Sequence, residues 1–211
     1  MDKYDKLEDY ICKHSSPEGD YLYRLYRATN VEILNPHMAS GHIQGRLLKL
    51  LVNMIRPKRI LEIGTYTGYS AICMAEGLDD DGKLYTFEVD DELEDFTRRW
   101  IDGSNVADKI IFTIGSALDS VPLLGEKFDL VFIDGNKREY IAYYNMAMQY
   151  LNDGGWIIAD NTLWDGHVIE EERQDAQTNG VRAFNDFVRA DERVEEVIVP
   201  LRDGLTIIRK K

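Results

Sequence analysis

From the N-terminus to Pro57, apolar residues recur at three- and four-residue intervals, the spacing of one helix face. Residues 1–38 read as short helices, over "DKLEDYICKH" and "EGDYLYRLYRATN". "SSPEGD" puts Ser and Pro at the expected start of the second. "SGHIQGRLLKLLVNMIRP" reads as an amphipathic helix closed by Pro57. From Arg59 the pattern changes to short apolar runs alternating with amphipathic segments. The runs "RILEIG", "GKLYTFEVD", "KIIFTIG", "FDLVFIDG" and "GGWIIADN" predict strands. Between and after them "GYSAICMAEGL", "DELEDFTRRWIDGSNV", "SALDSVPLLG", "REYIAYYNMAMQYL" and "GVRAFNDFVRAD" predict helices. "RVEEVIVPL" and "LTIIRKK" flank "RDG" as a closing hairpin, which adds one antiparallel strand. Strictly alternating strands and helices imply an α/β fold around a mostly parallel sheet with right-handed crossovers. The strands are almost wholly apolar, as burial on both faces requires.

The 211 residues suit one domain with one sizeable core, expected over 1–211, with the helices of 1–37 as a lid or an interface. A formal net charge of −13 disfavours nucleic acid as a partner. No apolar run reaches membrane-spanning length and the N-terminus is charged throughout, so neither a membrane nor a signal peptide is expected. Two cysteines, Cys12 and Cys73, have no metal-ligand spacing and read as buried thiols of a reducing compartment, with a cytoplasmic location expected. His14, His37, His42 and His167 show no catalytic or metal spacing and read as structural. Tyr21, Tyr23 and Tyr26 on the second helix suit an interface.

In an open parallel sheet, ligands bind beyond the carboxyl ends of the strands. That rule selects Glu62 and Gly64, Glu88 and Asp90, Ser116, Asp134 to Lys137, and Asp160 with Asn161. Gly64 and Gly68 are spaced G-x-x-x-G, and the dinucleotide fingerprint G-x-G-x-x-G is absent. Glu62, two residues before the glycine, repels a pyrophosphate and favours a cation. Glu88, at the end of the next strand, can take both hydroxyls of a ribose. A cationic nucleoside without phosphates satisfies both, and S-adenosylmethionine is such a molecule. Set against this is an ordinary strand–helix turn with a strand-end acid.

"VFIDGNK" and "IIADN" each follow an apolar strand directly. Asp134, Asp160 and Asn161 offer two carboxylates and an amide oxygen, a hard-oxygen set suited to Mg²⁺ or Ca²⁺. Taken singly, either aspartate also reads as a helix cap. Lys137, three residues after Asp134, is a surface lysine on the plain reading. Beside a metal it can accept a proton from a metal-bound hydroxyl whose pKa the metal has lowered.

With these residues in hand, the chain resembles the cation-dependent O-methyltransferases, the caffeoyl-CoA and catechol O-methyltransferase-like group. "LEIGTYTGYSA", "VFIDGNKREY", "IIADNTLWDG" and "PLRDGLTIIRK" carry the resemblance, which runs from about Met38 to Lys210. It implies a Rossmann-like class I methyltransferase fold, seven strands with a C-terminal antiparallel hairpin strand and extra N-terminal helices, and a homodimer. It implies that Glu62, Gly64, Tyr66 and Ser70 line the methionine part of the donor, with Asp134 beside it. Glu88 then holds the ribose, Ser116 and Ala117 edge the adenine, and Met38 and Ser40 belong to a segment that closes over the donor. Asp134, Asp160 and Asn161 match metal ligands (Mg²⁺ first, Ca²⁺ or Mn²⁺ next) and Lys137 the general base. Asn136, Tyr143 and Trp164 fall at the acceptor pocket, a small phenolic molecule being the implied partner. The chain departs from the group in "DGN", where "DAD" or "DHW" is usual, and in "HMASGHIQG" against "SPEQG". The longer insertion of plant members is not found, which disfavours a CoA-bound acceptor.

Three other readings stay open on the sequence. They are a methyltransferase with another small-molecule or nucleic-acid acceptor, a nicotinamide dehydrogenase, and a non-catalytic nucleoside-binding protein. The net charge opposes nucleic acid, Glu62 and the missing fingerprint oppose the dehydrogenase, and an intact Lys137 with three metal ligands opposes the last.

Overall fold

Strands β1 (Arg59–Ile63), β2 (Lys83–Glu88), β3 (Ile110–Ile114), β4 (Phe128–Ile133), β5 (Leu151–Ala159), β6 (Val194–Val199) and β7 (Leu205–Lys210) form one sheet in the order β3-β2-β1-β4-β5-β7-β6. This is a computed structural model, and it describes residues 3–211. The expectation for Met1 and Asp2 lies outside them. β7 runs antiparallel to β5 and β6, and the other neighbours pair in parallel. The expected architecture is thus the observed one.

Alternation along the strands divides the core in two. Ile60, Leu130, Phe132 and Ile158 face helices α2 (Asp20–Glu32), α3 (Gly41–Ile55), α4 (Tyr69–Ala75) and α5 (Glu94–Asp102). Leu61, Val131, Ile133 and Ile157 face α6 (Ala117–Ser120), α7 (Tyr140–Tyr150) and α8 (Ala176–Arg189). Another helix, α1 (Lys3–Lys13), precedes them. Among the described residues, no helix is long and apolar enough to cross a membrane.

Several boundaries differ from the sequence expectation. The second helix does not start at Ser or Pro: Gly19, at φ 87°, caps it and Asp20 opens it. β5 begins at Leu151, before the glycines, with a register shift between Phe128 and Leu130 on its neighbour. α8 begins four residues before the expected Gly180, where Asp175 accepts from the N–H groups of Gln177 and Thr178. Gly180 lies inside the helix, and a Cβ there would sit 2.5 Å from the Lys137 carbonyl oxygen. The glycine lets α8 press against the turn that carries Lys137. Cys12 is only partly covered, whereas Cys73 is fully buried, and both thiols are free. Tyr21 is half-buried: its hydroxyl donates to the Trp100 carbonyl at 2.6 Å and the two rings meet edge to face. Tyr23 and Tyr26 stay exposed.

Candidate active site at the strand carboxyl ends

The strand order reverses between β1 and β4, the switch point at which open α/β sheets bind ligands. Gly64 and Asp134 stand on its two sides, one residue past Ile63 and Ile133, which pair in register. The Asp134 N–H donates to the Ile63 carbonyl at 2.8 Å. A Cβ on Gly64 would lie 2.2 Å from the Asp134 carbonyl oxygen, and its φ is 96°. Only glycine serves here, for conformation and for space.

Two carboxylates build the half of the site past β1 and β2. Glu62 is fully buried and accepts from Ser70 Oγ and Thr86 Oγ1, each at 2.5 Å. Burial pushes its carboxyl up to about 8, and those two hydroxyls act only partly against it. Burial thus favours the protonated form of Glu62, and a cation beside it would favour the charged one. Glu88, at the end of β2, accepts from the Tyr66 N–H at 2.7 Å on one oxygen. Its other oxygen accepts from Val89 and Asp90 at 2.9 and 3.0 Å. Three amides thus fix its orientation, and a carboxylate's roughly four acceptor positions leave room for one more donor. Gly115 N donates to the Glu88 carbonyl at 2.7 Å, which brings Ser116 and the buried Ala117 beside this end of β2. Ser116 makes no side-chain cap bond.

Tyr66 ties the glycine turn to a distant segment, its hydroxyl donating to the carbonyls of Leu34 and Asn35 at 2.8 and 3.2 Å. That segment continues through the exposed Met38 to the buried Ser40. Among the described residues, six of the seven non-glycine residues with positive φ lie at this end of the sheet or on that segment: Asn35, Tyr66, Asn161, Trp164, Asp165 and Arg202. Backbone strain of this kind collects where a structure holds ligands.

The second half lies past β4 and β5. Ile133 pairs with Ala159, so Asp134 and Asp160 follow at adjacent strand ends, and Asp160 N donates to the Ile133 carbonyl at 2.9 Å. Asp160 is buried, which raises its pKa to about 7, with the charge of Asp134 adding to the shift. Gln44 Nε2 donates to its Oδ2 at 2.5 Å. Asn161, at φ 55°, gives its amide nitrogen to Asp203 at 3.4 Å, which leaves its amide oxygen for a ligand. Among the described residues, no three His, Cys, Asp or Glu side chains group as a metal cage. The set is two carboxylates and an amide oxygen. Its chemistry fits a hard divalent cation: all oxygen, two acids at adjacent strand ends, few enough to leave open positions for further oxygen ligands.

Lys137 is buried and its Nζ donates to Asp134 Oδ1 at 3.0 Å and to the Tyr140 hydroxyl at 2.6 Å. Tyr140, itself fully buried, passes its proton-bearing hydroxyl to the Asp160 carbonyl at 2.9 Å. The Trp164 ring centre lies 5.8 Å from Lys137 Nζ. Tyr143 is buried against Gly135, its hydroxyl on Glu139 at 2.7 Å. Asn136 is exposed and caps the Lys137 turn by accepting from the Arg138 N–H at 3.3 Å. Asp134, Asp160, Lys137 and Trp164 thus come together, with Asn136 at the margin.

The sequence reading missed Tyr140, Thr86, Gln44, Arg202 and Asp203. Gln44 carried a signal: it is a polar residue on the same helix stripe as the buried Leu48 and Val52. Tyr140 follows Lys137 by three residues, the spacing of one helical face.

The sequence model of the O-methyltransferase family matches residues 12–211. A catechol O-methyltransferase of Niastella koreensis is 32% identical over 94% of this chain and 91% of its own length. A caffeoyl-CoA O-methyltransferase of Stellaria longipes is 30% identical over 98% and 90%. The crystal structure of an O-methyltransferase from Bacillus cereus in complex with S-adenosylhomocysteine superposes with a TM-score of 0.91 at 31% identity, covering 98% of this chain and 97% of that one. With the glycine turn, the fixed Glu88 and the strand-end acids already in place, these likenesses settle the family: the chain belongs to the O-methyltransferase family and is an S-adenosylmethionine-dependent O-methyltransferase.

Proposed function

We propose that the protein moves the methyl group of S-adenosylmethionine to a hydroxyl of a small catechol-like or phenylpropanoid acceptor, with a divalent cation, Mg²⁺ first, held by Asp134, Asp160 and Asn161. The observation that carries this reading is the meeting of Asp134, Asp160 and Lys137 at adjacent strand ends, next to the Gly64 turn. The names of the Niastella and Stellaria relatives support a phenolic acceptor. Glu62, Gly64, Tyr66 and Ser70 hold the methionine part, Glu88 the ribose, and Ser116 with Ala117 the adenine. Met38 and Ser40 lie on the segment over the donor, and Asn136, Tyr143 and Trp164 border the acceptor.

A bound divalent cation would orient the acceptor oxygen and lower the pKa of its hydroxyl. Asp134 and Tyr140 occupy two of the three directions around Lys137 Nζ. Once the ammonium has released one proton to solvent, the amine still donates to both and its lone pair fills the third direction, where it takes the hydroxyl proton. The acceptor oxygen then forms its bond to the methyl carbon as the carbon–sulfur bond breaks, and a neutral thioether is left. Alignment of oxygen, methyl and sulfur is the main contribution of the fold, worth ~7–11 kcal/mol at best.

The two free cysteines support a reducing, cytoplasmic setting, and the exposed Tyr23 and Tyr26 support a homodimer through the N-terminal helices. A panel of catechols, flavonoids and caffeoyl compounds assayed with Mg²⁺ and with EDTA tests the reading. Turnover of a catechol that EDTA abolishes is the expected result, and Asp134→Ala is expected to lose it while largely keeping donor binding. Full turnover in EDTA, or by Asp134→Ala, overturns the cation assignment.

A further inference from the structure

The turn between β6 and β7 touches the site from a direction the reaction does not explain. Arg202, at φ 48°, lies in this turn at the surface. Its guanidinium donates to four acceptors. Nη2 reaches the His37 carbonyl at 3.1 Å. Nη1 reaches the Ala39 carbonyl at 3.1 Å, the Ser40 carbonyl, and Gln44 Oε1 at 3.4 Å. Gln44 is buried, and its other amide atom is the one that donates to Asp160 Oδ2. The next residue in the turn, Asp203, accepts from Asn161 Nδ2, and its carbonyl accepts from the Leu163 N–H at 2.7 Å.

The segment 34–40 is therefore fastened at both ends. Its start is held by the Tyr66 hydroxyl, in the glycine turn. Its end is held by Arg202, whose contacts continue through Gln44 to Asp160 and, one residue on, through Asp203 to Asn161. We infer that Arg202 and Gln44 are positioning residues that make this segment a strap between the donor turn and the cation ligands, so that donor and cation bind with positive coupling. The inference rests on the proposed role of Asp134, Asp160 and Asn161. Gln44 has one rotamer that satisfies both neighbours: its N–H must face the carboxylate and its oxygen the guanidinium. Any shift of the strap's end thus moves the hydrogen bond that aims Asp160. By linkage, whatever settles the strap also settles the ligand, and the effect is reciprocal.

The test is Mn²⁺ binding by electron paramagnetic resonance on the full chain, with and without saturating S-adenosylhomocysteine. Calorimetric titration of S-adenosylhomocysteine with Mg²⁺ or EDTA gives the reciprocal measurement. In the unaltered protein each ligand is expected to tighten the other by about 5-fold or more, the lower end of ordinary coupling. Arg202→Met is expected to reduce that factor below about 2-fold, and Arg202→Lys to restore part of it. Because Arg202 is at the surface, the variant keeps its core. Gln44→Met, near in volume, is expected to weaken Mn²⁺ about 10-fold with donor affinity in EDTA unchanged. An Arg202→Met protein that keeps the full coupling factor overturns the inference. So does an unaltered protein that binds Mn²⁺ with no response to S-adenosylhomocysteine. Absence of any Mn²⁺ binding removes the cation reading itself, and with it this inference.

Discussion

Lys137 and Tyr140 form a charge-assisted pair in which the lysine nitrogen lies 2.6 Å from a phenol that is itself committed to the Asp160 carbonyl. The phenol cannot turn away, because its own proton is held, and so it fixes where the nitrogen sits between the two acidic strand ends. Tyr140→Phe keeps the ring that packs edge to face on Phe184 and removes only this oxygen. Loss of one hydrogen bond to a charged group is worth ~1.5 kcal/mol or more. Turnover is therefore expected to drop about 10-fold, with the Michaelis constant for the donor unchanged and the pH–rate profile displaced. An unaltered profile and rate would show that Lys137 is held without the phenol.

Glu62 predicts a pH dependence of stability. Burial raises its carboxyl from 4.5 to about 8 in the folded protein, so between those values the folded state binds a proton that the unfolded chain has released. Stability from this group is complete below 4.5 and is lost as pH rises towards 8. Asp160, raised to about 7, acts in the same direction. Glu62→Gln carries no such proton. Its melting temperature is expected to fall less than that of the unaltered protein between about pH 5 and pH 8.5. The same variant is expected to weaken binding of the sulfonium donor more than that of its neutral thioether product. Parallel melting curves across that range would mean that Glu62 ionises as an exposed acid does.

The sheet was legible because its signals are local and periodic. Apolar runs separated by amphipathic helices dictate parallel strands, and Gly64, Asp134, Asp160 and Lys137 fall directly after those runs. What was not legible depends on contacts across long stretches of sequence. Arg202 meets Ala39 and Ser40 from the far end of the chain, and no pattern near either announces the contact. The early start of α8 was hidden by Gly180, which reads as a breaker until the Lys137 carbonyl is seen 2.5 Å from its absent side chain. The raised pKa of Glu62 was hidden as well: sequence gives the acid, and only its burial gives the shift.

Gly64 predicts a steep penalty for the smallest possible change. Gly64→Ala places a methyl group 2.2 Å from the Asp134 carbonyl oxygen on a backbone at φ 96°. Strand β1 and strand β4 must then part at the switch point or the turn must change shape. The conformational cost alone is about 1–3 kcal/mol. A lowered melting temperature with loss of S-adenosylhomocysteine binding by calorimetry is the expected outcome, and Gly125→Ala, whose added Cβ meets nothing, serves as the comparison for an open glycine at positive φ. Donor binding that survives Gly64→Ala would show that the cofactor does not lie over this turn.

Arg182 predicts a separation of acceptor from donor effects. Its guanidinium donates to the carbonyls of Val168 and His167 at 3.0 Å each and of Arg173 at 2.7 Å, and also to that of Glu170. One side chain on α8 thus gathers the loop that begins at Trp164, whose ring faces Lys137. Arg182→Met leaves those carbonyls to water and frees the loop, while the donor-side residues, which lie past β1, β2 and β3, keep their contacts. The Michaelis constant for a catechol is expected to rise about 10-fold, the worth of one charge-assisted bond, with S-adenosylhomocysteine affinity within about 2-fold of the original. Arg182→Lys, which replaces a planar fork by a single ammonium, is expected to recover little of the loss. Equal losses for acceptor and donor would mean that Arg182 supports the fold as a whole and not the acceptor loop.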